Sequence, residues 1–423
     1  MTVARDGRVV VVGQGYIGLP LAMRAVEVGY DVVGFDVDKA RVSQLRQGES
    51  FIDDISDADV ACALGTARYT PSDNVADLAD FRTALVCVPT PLRDSLPDLH
   101  FVEDAAYFLA PHLTQGACVV LESTTYPGTT EEIFAPILEA GSSLRAGTDF
   151  HLGYSPERID PTNPTWGLRN TPKIVSGIDD ASAAAVAAFY GDIVERIVTA
   201  PGIREAELAK LLENTFRHVN VALVNELAVC CHELGIDVWS VIDLAATKPF
   251  GFMRFTPGPG VGGHCLPIDP SYLSWQVRRA LGRTFRFIEI ANDVNDHMPA
   301  YVVSRVVDHL NRKRRAVNGS SILLVGLTYK RNSGDARQSP AAAVAHHLAE
   351  LGAKLSAIDP HVAPHEVPGP VRLVACTPEV IEAADLVIVL SDHDTVDWDL
   401  VARHGAKVLD TRNRLTGPGV DRL

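Results

Sequence analysis

One segment of the chain combines a thiol, a flexible backbone and a carboxylate. Residues 257–270 read Pro-Gly-Pro-Gly-Val-Gly-Gly-His-Cys-Leu-Pro-Ile-Asp-Pro, so Cys265 follows a glycine-rich stretch and Asp269 comes four residues later. Backbone N–H groups of such a stretch, Gly262 among them, can surround an oxyanion or phosphates. A neighbouring imidazole, here His264, can favour the thiolate of a cysteine. The pattern is typical of a nucleophilic cysteine, and a small buried core residue is the alternative role for Cys265.

A second set of polar residues recurs at helical spacing. Lys210, Asn214, Arg217 and His218 stand at i, i+4, i+7 and i+8, which is one face of a helix predicted over 203–233. A cation and an amide one turn apart suit the stabilisation of a developing alkoxide. The alternative is a solvated face, although Glu and Lys are better helix formers than Asn and His.

A dinucleotide-binding fingerprint stands between a β-branched run at 8–12 and a helical stretch at 19–28. In such a fingerprint the first glycine permits a tight turn, the second lets the backbone approach a pyrophosphate, and the third lets the helix pack on the strand. The helix N-terminus then faces the phosphates. We assign to the cofactor the residues Gly13, Gly15, Tyr16, Ile17 and Gly18.

An acid closes the second strand of this βαβ unit. Asp36 follows the run Asp31–Phe35 and lies 18 residues beyond Gly18, close to the ~20 expected for the acid that binds ribose hydroxyls. A carboxylate here repels a 2′-phosphate, so NAD is favoured over NADP. Arg41 keeps the choice open, because its guanidinium can reach a phosphate, cover the adenine or cap a helix.

Together these features predict a dehydrogenase that captures its aldehyde on sulfur and oxidises it on to an acid. Covalent capture keeps the aldehyde from water while a second hydride leaves at the same site. Two alternatives stay open. One is a two-electron hydroxy-acid dehydrogenase, which does not need Cys265. The other is an NAD-binding regulatory or scaffold protein without turnover.

The elements that must position these residues can be read from the hydrophobic pattern. Strand-like and helical runs alternate at both ends of the chain, and the strands stop in between, where two long helices are predicted. We predict an α/β fold with two Rossmann-like α/β domains joined by a helical middle domain with a long helix. The expected boundaries are 1–200 for NAD binding, 201–315 for the helical middle carrying catalytic residues, and 316–423 for the C-terminal domain.

Composition narrows the function further. At 423 residues the chain is long enough for two or three domains, and its net charge of −15 argues against binding nucleic acid or an anionic membrane surface. No apolar run reaches the ~18 residues of a membrane span, and the N-terminus lacks a signal peptide. Seven cysteines form no disulfide pattern, so a reduced, cytoplasmic location is expected. Cys230-Cys231-His232 lacks a second ligand pair at zinc spacing, so these are predicted to be core residues and no metal is expected.

The motifs in order resemble the nucleotide-sugar 6-dehydrogenase family, which includes UDP-glucose, GDP-mannose and UDP-N-acetylhexosamine dehydrogenases. The resemblance covers nearly the whole chain. It rests on Gly13-Gln-Gly-Tyr-Ile-Gly18, Cys87-Val-Pro-Thr90-Pro, Glu122-Ser-Thr-Thr-Tyr-Pro-Gly-Thr129, Ser155-Pro-Glu-Arg158, Glu213-Asn-Thr-Phe-Arg-His218, Gly262-Gly-His-Cys265, Gly326-Leu-Thr-Tyr-Lys330 and Asp410-Thr-Arg412.

The resemblance implies a four-electron oxidation of a sugar C6 hydroxyl with two NAD, through a thiohemiacetal and a thioester on Cys265. It implies that Lys210 and Asn214 support the oxyanion, and that Asp269 assists proton transfer or orders water. Glu157 matches a glutamate implicated in activating the hydrolytic water. Thr124 matches a threonine near the nicotinamide and this water.

Further binding roles are implied by the same resemblance. Lys330 and Arg412 resemble cations of a C-terminal domain that binds the substrate nucleotide. Arg254 resembles a basic residue that contacts substrate, either in its own chain or across a dimer formed by the helical middle. Arg337 resembles an arginine near the cofactor, followed here by Gln338 where the family has an acid. The matched motifs also place Thr90 with the cofactor. On the substrate side they place Arg158, Arg217, His218 and Gly262.

The sugar is the least specified part of the prediction. The string Asn214-Thr-Phe-Arg-His-Val-Asn and the sequence Gly-Gly-His-Cys resemble the UDP-N-acetylhexosamine branch, which implies UDP-N-acetylglucosamine or UDP-N-acetylmannosamine as substrate. UDP-glucose, or another nucleotide-glucose, is the alternative. The expected partners are therefore a UDP-sugar and a second copy of the chain.

Overall fold

A computed structural model describes residue 5 and residues 7–52, 54–159, 163, 165–263 and 266–423. The chain forms two compact units. The first contains residues 1–213 and 271–283, and the second contains residues 214–270 and 284–423. Parallel sheets flanked by helices occur in both units, which confirms the predicted α/β class.

The strands are short and mostly buried. They are β1 Arg8–Val12, β2 Asp31–Phe35, β3 Tyr69–Ser72, β4 Phe81–Val86, β5 Leu92–Arg93, β6 Leu96–Pro97, β7 Cys118–Leu121, β8 His151–Tyr154, β9 Lys173–Gly177, β10 Ile197–Thr199, β11 Ser321–Val325, β12 Lys354–Ile358, β13 Val371–Leu373, β14 Leu386–Val389, β15 Val408–Asp410 and β16 Asp421–Arg422.

The helices vary more in length. They are α1 Gly18–Glu27, α2 Lys39–Arg46, α3 Asp57–Gly65, α4 His100–Leu109, α5 Ala135–Ser142, α6 Asp180–Ile193, α7 Ile203–Leu234, α8 Val238–Ala246, α9 Asp269–Leu281, α10 Arg286–Arg312, α11 Pro340–Glu350, α12 Pro378–Ala383 and α13 Trp398–Ala402. Helix α7 begins in the first unit and ends in the second.

The first unit is built on an eight-stranded sheet with the order β10-β9-β8-β7-β4-β1-β2-β3. Every neighbouring pair is parallel except β8 and β9. Six of these strands follow the doubly wound order, in which a crevice opens at the carboxyl ends where the order reverses, here between β1 and β4. The fingerprint glycines follow β1, so the topology places them at this crevice.

The second unit repeats the doubly wound order in a six-stranded sheet, β13-β12-β11-β14-β15-β16, in which all pairs are parallel. Successive residues of β11 face opposite cores: Ile322 and Leu324 pack in one, Leu323 and Val325 in the other. Both faces of a parallel sheet are covered, so its strands are apolar without alternation.

Between β10 and β11 the described residues form the four helices α7 to α10, as the helical middle was predicted to do. Helices α7 and α8 share a small apolar core around Trp239 that includes Cys231. Cys230 and His232 are exposed, so the prediction that they are core residues was wrong for these two. The helix turns them outward, because adjacent residues are rotated by about 100°.

Candidate active site

The turn after β1 shows why its glycines are needed. Gly13 has a φ of +91°, and a Cβ on it would lie 2.5 Å from the Cys87 carbonyl oxygen. A Cβ on Gly18, the first residue of α1, would lie 1.8 Å from the Gly13 oxygen. No described atom comes within 4 Å of a Cβ built on Gly15. The turn is therefore closed on the protein side and open at Gly15, which fits the approach of a pyrophosphate.

Asp36 is held rigidly beside this turn. Its Oδ2 accepts the Gln14 N–H at 2.8 Å, and its Oδ1 accepts the Asp38 N–H at 2.9 Å. Arg41 forms an ion pair with Asp36 at 3.0 Å and stacks over the Phe51 ring. The carboxylate lies at the strand end where a ribose is bound in this fold, so the residues fit the adenosine half of NAD.

Two further predicted cofactor residues follow adjacent parallel strands. Thr90 lies beyond β4 and Thr124 lies beyond β7, and both are half-buried. The two loops are joined by Ser123, whose hydroxyl donates to the Val88 carbonyl at 2.7 Å. Carboxyl ends of neighbouring parallel strands share one edge of a sheet, so both threonines lie on the same edge as the Gly13 turn.

A buried charge cluster occupies the first unit, and Glu157 is its one member that was predicted as a site residue. Lys173, the first residue of β9, donates to Glu122 Oε2 at 2.7 Å and to Glu157 Oε2 at 3.2 Å. The Tyr190 hydroxyl is hydrogen-bonded to the other oxygen of Glu122. The one available signal was a lysine that opens an apolar strand and a glutamate that closes another, which is also common on surfaces.

The cluster holds its carboxyl groups in unlike states. Burial raises the pKa of the Glu122 carboxyl. For Glu157 burial acts in the same direction, but the Lys173 ammonium and the Ile159 N–H group outweigh it, so the pKa is lowered. Burial disfavours the Lys173 cation, yet the two carboxyl groups raise its pKa overall. Glu157 is therefore the ionised partner of a buried cation.

Lys210 is joined to the same cluster. Its Nζ donates to the backbone carbonyl oxygen of Glu157 at 2.5 Å, and the side chain is buried. An ammonium has three N–H donors, so this one bond does not exhaust its capacity to bind an anionic oxygen. Arg158, predicted to contact substrate, pairs with Glu213 at 2.6 Å and donates to the Pro172 carbonyl at 2.7 Å.

One turn before Lys210, a buried acid ties α7 to the loop after β7. Glu207 accepts the Gly128 N–H at 2.6 Å, the Thr130 N–H at 3.0 Å and the Thr130 hydroxyl at 2.7 Å. Burial raises the pKa of Glu207 to about 7. Glu207 caps backbone N–H groups at the start of a helical segment. It thereby fixes the position of α7, and with it Lys210, relative to this loop. Sequence analysis missed it, because Glu on a helix is usually solvated.

In the second unit the structure brings two predicted catalytic residues together. Asn214 Nδ2 donates to Asp269 Oδ2 at 2.5 Å, and both side chains are buried. The carboxylate orients the amide, because only the NH₂ group can face it.

A buried amide network continues along α7 in this unit. His218 Nε2 donates to Asn292 Oδ1 at 2.8 Å, while Asn295 donates to His218 Nδ1 at 3.3 Å. Asn225 links Asn295 to the Gly258 N–H. Burial lowers the pKa of His218, so the imidazole is neutral at pH 7. The network ties α7 and α10 to the glycine-rich segment. Arg217, predicted on the same face, is exposed.

The glycine-rich segment itself is tightly packed. The Gly263 N–H donates to the Arg337 carbonyl at 3.1 Å, and a Cβ on Gly262 would lie 2.7 Å from the Tyr329 Cβ. Gly260 and Gly263 both have positive φ. The next two residues, His264 and Cys265, lie outside the described residues.

The predicted cations of the second unit have protein partners. The Arg412 Nε donates to the Leu390 carbonyl at 2.8 Å, and Arg254 pairs with Asp243 at 2.8 Å. Arg337 makes a bidentate contact with Asp335, at 2.8 and 2.6 Å. Lys330 is half-buried, and its carbonyl accepts the Thr328 hydroxyl at 3.1 Å.

Two kinds of feature are missing from the described residues. No group of three or more His, Cys, Asp or Glu side chains there is arranged to hold a metal ion. No helix in that part of the chain combines the length and apolar character needed to cross a membrane.

Comparison with known proteins gives a consistent result over the whole chain. Residues 7–194 match the NAD binding domain of the UDP-glucose/GDP-mannose dehydrogenase family, 204–297 match its central domain, and 323–417 match its UDP binding domain. The first of these matches makes NAD the cofactor of this dehydrogenase.

Individual relatives agree with the domain matches. The chain is 40% identical, over 85% of its length and 84% of the relative's, to UDP-N-acetyl-D-glucosamine 6-dehydrogenase of Pseudomonas aeruginosa. Its fold is similar to a UDP-D-ManNAc dehydrogenase structure from Pyrococcus horikoshii, with a TM-score of 0.89 and 33% identity over 98% of both chains. It is also similar to the UDP-N-acetyl-mannosamine dehydrogenase Cap5O of Staphylococcus aureus, with a TM-score of 0.84 and 29% identity over 98% of this chain and 97% of that one. With all three domain models matched in order, the chain belongs to the UDP-glucose/GDP-mannose dehydrogenase family.

Proposed function

We propose that the chain oxidises the C6 hydroxyl of a UDP-N-acetylhexosamine, UDP-N-acetylglucosamine or UDP-N-acetylmannosamine, to the uronic acid. The observation that carries the chemistry is the burial of four predicted catalytic side chains. Asn214 donates to the Asp269 carboxyl group, and Lys210 donates to the backbone carbonyl of Glu157. The choice of sugar is supported by relatives at 40% and 34% identity that are named for these two substrates.

The first unit supplies the cofactor site. Gly13, Gly15 and Gly18 form the turn on which the pyrophosphate would rest, and Asp36 would bind the ribose hydroxyls. NAD held at this turn would supply hydride acceptance, with one hydride from C6 for each of two molecules bound in turn. Thr90 and Thr124 lie at the same sheet edge and would line this site.

The chain's own groups manage charge during the first oxidation. The C6 hydroxyl must lose its proton as its hydride leaves, so negative charge develops on the C6 oxygen. The Lys210 ammonium and the Asn214 amide donate hydrogen bonds to that oxygen, and because both side chains are already fixed by protein partners, little reorganisation is needed. Asp269 holds the Asn214 amide and receives or relays the proton.

Cys265 carries the second half of the reaction in this proposal. Its thiolate attacks the C6 aldehyde, so that a carbon–sulfur bond forms and the carbonyl π electrons move to oxygen. Loss of the second hydride from C6 leaves a thioester. Glu157 accepts a proton from water, the hydroxide attacks the thioester carbon, and the carbon–sulfur bond breaks to return the thiolate. The added oxygen of the acid therefore comes from water.

The nucleotide of the substrate is assigned to the second unit, matched by the family's UDP binding domain. Lys330 and Arg412 would supply local positive charge for a diphosphate, in a chain whose net charge is −15. Arg254, Arg217 and His218 stay predictions for the substrate side, and Arg337 stays one for the cofactor side. The proposal also includes the domain boundaries 1–200, 201–315 and 316–423. It further includes a cytoplasmic location, in which the cysteines would stay reduced.

A homodimer is also part of the proposal. Several large apolar side chains of the second unit are exposed, among them Leu223, Leu234, Leu244, Phe287 and Ile290 on α7, α8 and α10. Exposed apolar side chains of this size fit an interface where they form one patch, and a second copy of the chain would cover such a patch symmetrically. Light scattering should give twice the mass of one chain, and replacing Leu223 and Phe287 by Glu should reduce it.

The decisive test is a panel of nucleotide sugars assayed for NADH. UDP-N-acetylglucosamine or UDP-N-acetylmannosamine should yield two NADH for each sugar consumed, with the uronic acid as product. Higher kcat/KM with UDP-glucose would move the substrate to that alternative. One NADH per substrate would instead indicate a two-electron dehydrogenase, and NAD binding without turnover would indicate a non-catalytic protein.

The covalent step is tested at Cys265. A Cys265→Ser enzyme should bind NAD and substrate normally, because hydroxyl and thiol are similar in size, while turnover falls by several orders of magnitude. Serine is a poorer nucleophile at neutral pH, and an adduct should be sought by intact-protein mass spectrometry. Cys62→Ser, at an exposed position, is the matched control and should leave the rate unchanged. Acid formation by Cys265→Ser at the wild-type rate would exclude cysteine capture.

The nucleotide site is tested by a change of affinity alone. Replacing Lys330 or Arg412 by Ala should raise KM for the nucleotide sugar and leave NAD affinity nearly intact. Arg403→Ala, at an exposed position at the end of α13, is the control. An equal loss of NAD affinity would place the substrate nucleotide elsewhere.

A further inference from the structure

Lys173 is a buried cation that the proposed reaction does not use. Its side chain is 4% exposed, and it begins β9, which is hydrogen-bonded to β8 and β10. A lysine is almost never buried to this extent without a partner, because the loss of hydration of an ammonium costs several kcal/mol. The contacts of the Lys173 side chain should therefore explain why it is buried.

These contacts place the ammonium between two carboxyl groups. Its Nζ lies 2.7 Å from Glu122 Oε2, on the residue that follows β7, and 3.2 Å from Glu157 Oε2, beyond β8. The fully buried Glu122 is also hydrogen-bonded to the Tyr190 hydroxyl of α6. The two carboxyl groups share this one ammonium, and repulsion between two buried carboxylates favours protonation of one of them.

The geometry identifies which carboxyl group keeps the charge. The second oxygen of Glu157, Oε1, accepts the N–H groups of Arg158 at 2.7 Å and Ile159 at 2.5 Å. Backbone donors of this kind favour a carboxylate over a carboxylic acid. Both oxygens of Glu157 thus receive hydrogen bonds from fixed donors, and its backbone carbonyl receives one from Lys210.

We propose that Lys173 is a positioning residue, which holds Glu157 as a carboxylate in the orientation needed to take a proton from the hydrolytic water. The inference rests on the proposed function, since it presupposes a thioester that Glu157 helps to hydrolyse. Lys173 acts through Glu157 and does not itself touch the substrate. It therefore affects the second half of the reaction and leaves the first oxidation intact.

The surroundings of the pair contain further titratable groups. Those facing Lys173 and Glu157 are Cys87 after β4, Glu122 after β7, Tyr190 on α6 and Lys210 on α7. Burial raises the pKa values of Cys87, Glu122 and Tyr190 and thereby favours the neutral form of each group. Lys173 and Lys210 are the cations near Glu157, and Lys173 is the one that contacts its carboxylate.

The test follows hydrolysis of the adduct in a single turnover, by quenching and intact-protein mass spectrometry across pH. Lys173→Met removes the cation from Glu157, so this carboxyl group should hold its proton to higher pH. The acid limb of the hydrolysis rate should move up by about one to three pH units, since a paired cation accounts for shifts of that size. Near pH 6 the thioester should accumulate at least tenfold, whereas formation of the first NADH should keep its wild-type rate.

Two variants control for a merely structural effect. Lys173→Arg keeps the charge and should return the acid limb to within about half a pH unit of wild type. Glu122→Gln keeps an uncharged acceptor beside Lys173 and should do the same. If Lys173→Met does not fold, Lys173→Met combined with Glu122→Leu removes the cation together with its second partner, a kind of replacement that buried ion pairs often tolerate. This double variant should show the same shift.

The outcomes separate the inference from the proposed function. If Glu157→Gln accumulates the adduct but Lys173→Met or the double variant hydrolyses it with a wild-type pH profile, the role of Lys173 is overturned and the reaction stands. A uniform loss of rate at all pH values, shared by Lys173→Arg, would also overturn it. If neither wild type nor Glu157→Gln forms an adduct, the cysteine mechanism fails and the role of Lys173 fails with it.

Discussion

The eight-stranded and six-stranded sheets of this protein carry the same turn at the same place. After β1 and after β11 stands a glycine with positive φ, Gly13 at +91° and Gly326 at +84°. Each glycine donates its N–H to the carbonyl at the end of the neighbouring strand, at 2.8 Å in the first unit and 2.9 Å in the second. In each case the next N–H binds an acid, Asp36 at 2.8 Å or Asp359 at 2.6 Å.

The two turns differ in the side chain that pairs with the acid. Asp36 pairs with Arg41, whose side chain is 36% exposed. Asp359 pairs with His393, whose side chain is fully buried and also contacts the Thr328 hydroxyl. The position two residues after the first glycine is the open Gly15 in one unit and Thr328 in the other. The first glycine is therefore required by the turn itself, whereas the second is required by a ligand.

The third glycine depends on how soon a helix begins. Helix α1 starts at Gly18, five residues after Gly13, and packs directly on the turn. In the second unit α11 starts only at Pro340, and Arg331 occupies the position that corresponds to Gly18. With no helix against the turn there, a long side chain is tolerated.

The largest expected effect tests whether the turns are equivalent in stability. Gly326→Ala adds a Cβ 2.4 Å from the Ser391 oxygen at a positive φ, and Gly13→Ala adds one 2.5 Å from the Cys87 oxygen. Strain and overpacking together should cost about 3–5 kcal/mol in each case, measured by denaturant unfolding. Gly417→Ala, with open space around its Cβ, is the control and should stay within about 0.5 kcal/mol. A stable Gly326→Ala protein would break the comparison.

A smaller effect on the free energy of unfolding is expected from the acid of the second turn, Asp359. His393 and backbone N–H groups outweigh burial and hold the pKa of Asp359 below its usual range. Its stabilising effect is therefore complete above the unfolded pKa of about 3.9 and is lost as the pH falls towards the folded value. Asp359→Asn should cost about 2 kcal/mol at pH 7, with a gap to wild type that narrows below pH 4.

The pH dependence is the informative part of that experiment. Asp308→Asn, at an exposed position on α10, should leave the unfolding curve unchanged at every pH. The difference in unfolding free energy between wild type and Asp359→Asn could instead stay constant from pH 7 to pH 3. That result would mean that the charge of Asp359 does not contribute to stability and that only its packing does.

Gly15 and Thr328 should show opposite responses. Gly15→Ala places a methyl group in open space where a pyrophosphate would pass, so NAD affinity should fall at least tenfold, about 1.4 kcal/mol, while the unfolding midpoint stays unchanged. Thr328→Ala removes a buried hydroxyl that bonds Lys330 and His393, so it should lower stability by about 1 kcal/mol and leave NAD affinity intact. Calorimetric titration with NAD checks both, and the same response in both variants would mean that the turns do not differ in function.

A last effect, on the order of the loss expected for Gly15→Ala, concerns the choice between NAD and NADP. With Asp36 at the ribose, kcat/KM for NAD should exceed that for NADP at least tenfold, on the order of 1.4 kcal/mol. Asp36→Asn should narrow the difference. Arg41→Ala should keep it, because the structure engages Arg41 with Asp36 and Phe51. Equal use of both cofactors by wild type would show that Arg41, and not Asp36, controls selection.

The same comparison shows which parts of the molecule the sequence could predict. The first turn could be predicted because binding the dinucleotide and packing the helix require three glycines and an acid. Those residue types are visible in the sequence. The second turn retains one glycine, so its alternating strands and helices, together with the family motifs at 326–330 and 410–412, indicated the domain. Asp359 and His393 are 34 residues apart, and nothing in the residues around either one indicates the contact.

The charge cluster could not be predicted from the sequence for a related reason. Glu157 was found through its motif, but Lys173 and Glu122 gain their meaning from strands that lie side by side in the sheet. A lysine at the start of a strand is usually solvated, and only the fold shows that this one is buried between two acids. Arg217 illustrates the converse, since helical spacing placed it with Lys210 and the structure leaves it exposed.

The outermost strands of both sheets are short, and this limits how copies of the protein can associate. The edges are β3 and β10 in one sheet and β13 and β16 in the other, with four, three, three and two residues. Pro71 interrupts the donors of β3, and Asp421 of β16 is held by ion pairs to Arg305 and Arg312. Parallel apolar strands would otherwise be templates for pairing between chains and for aggregation. These edges therefore offer few free backbone groups for pairing between chains, and the proposed homodimer would use helical surfaces instead.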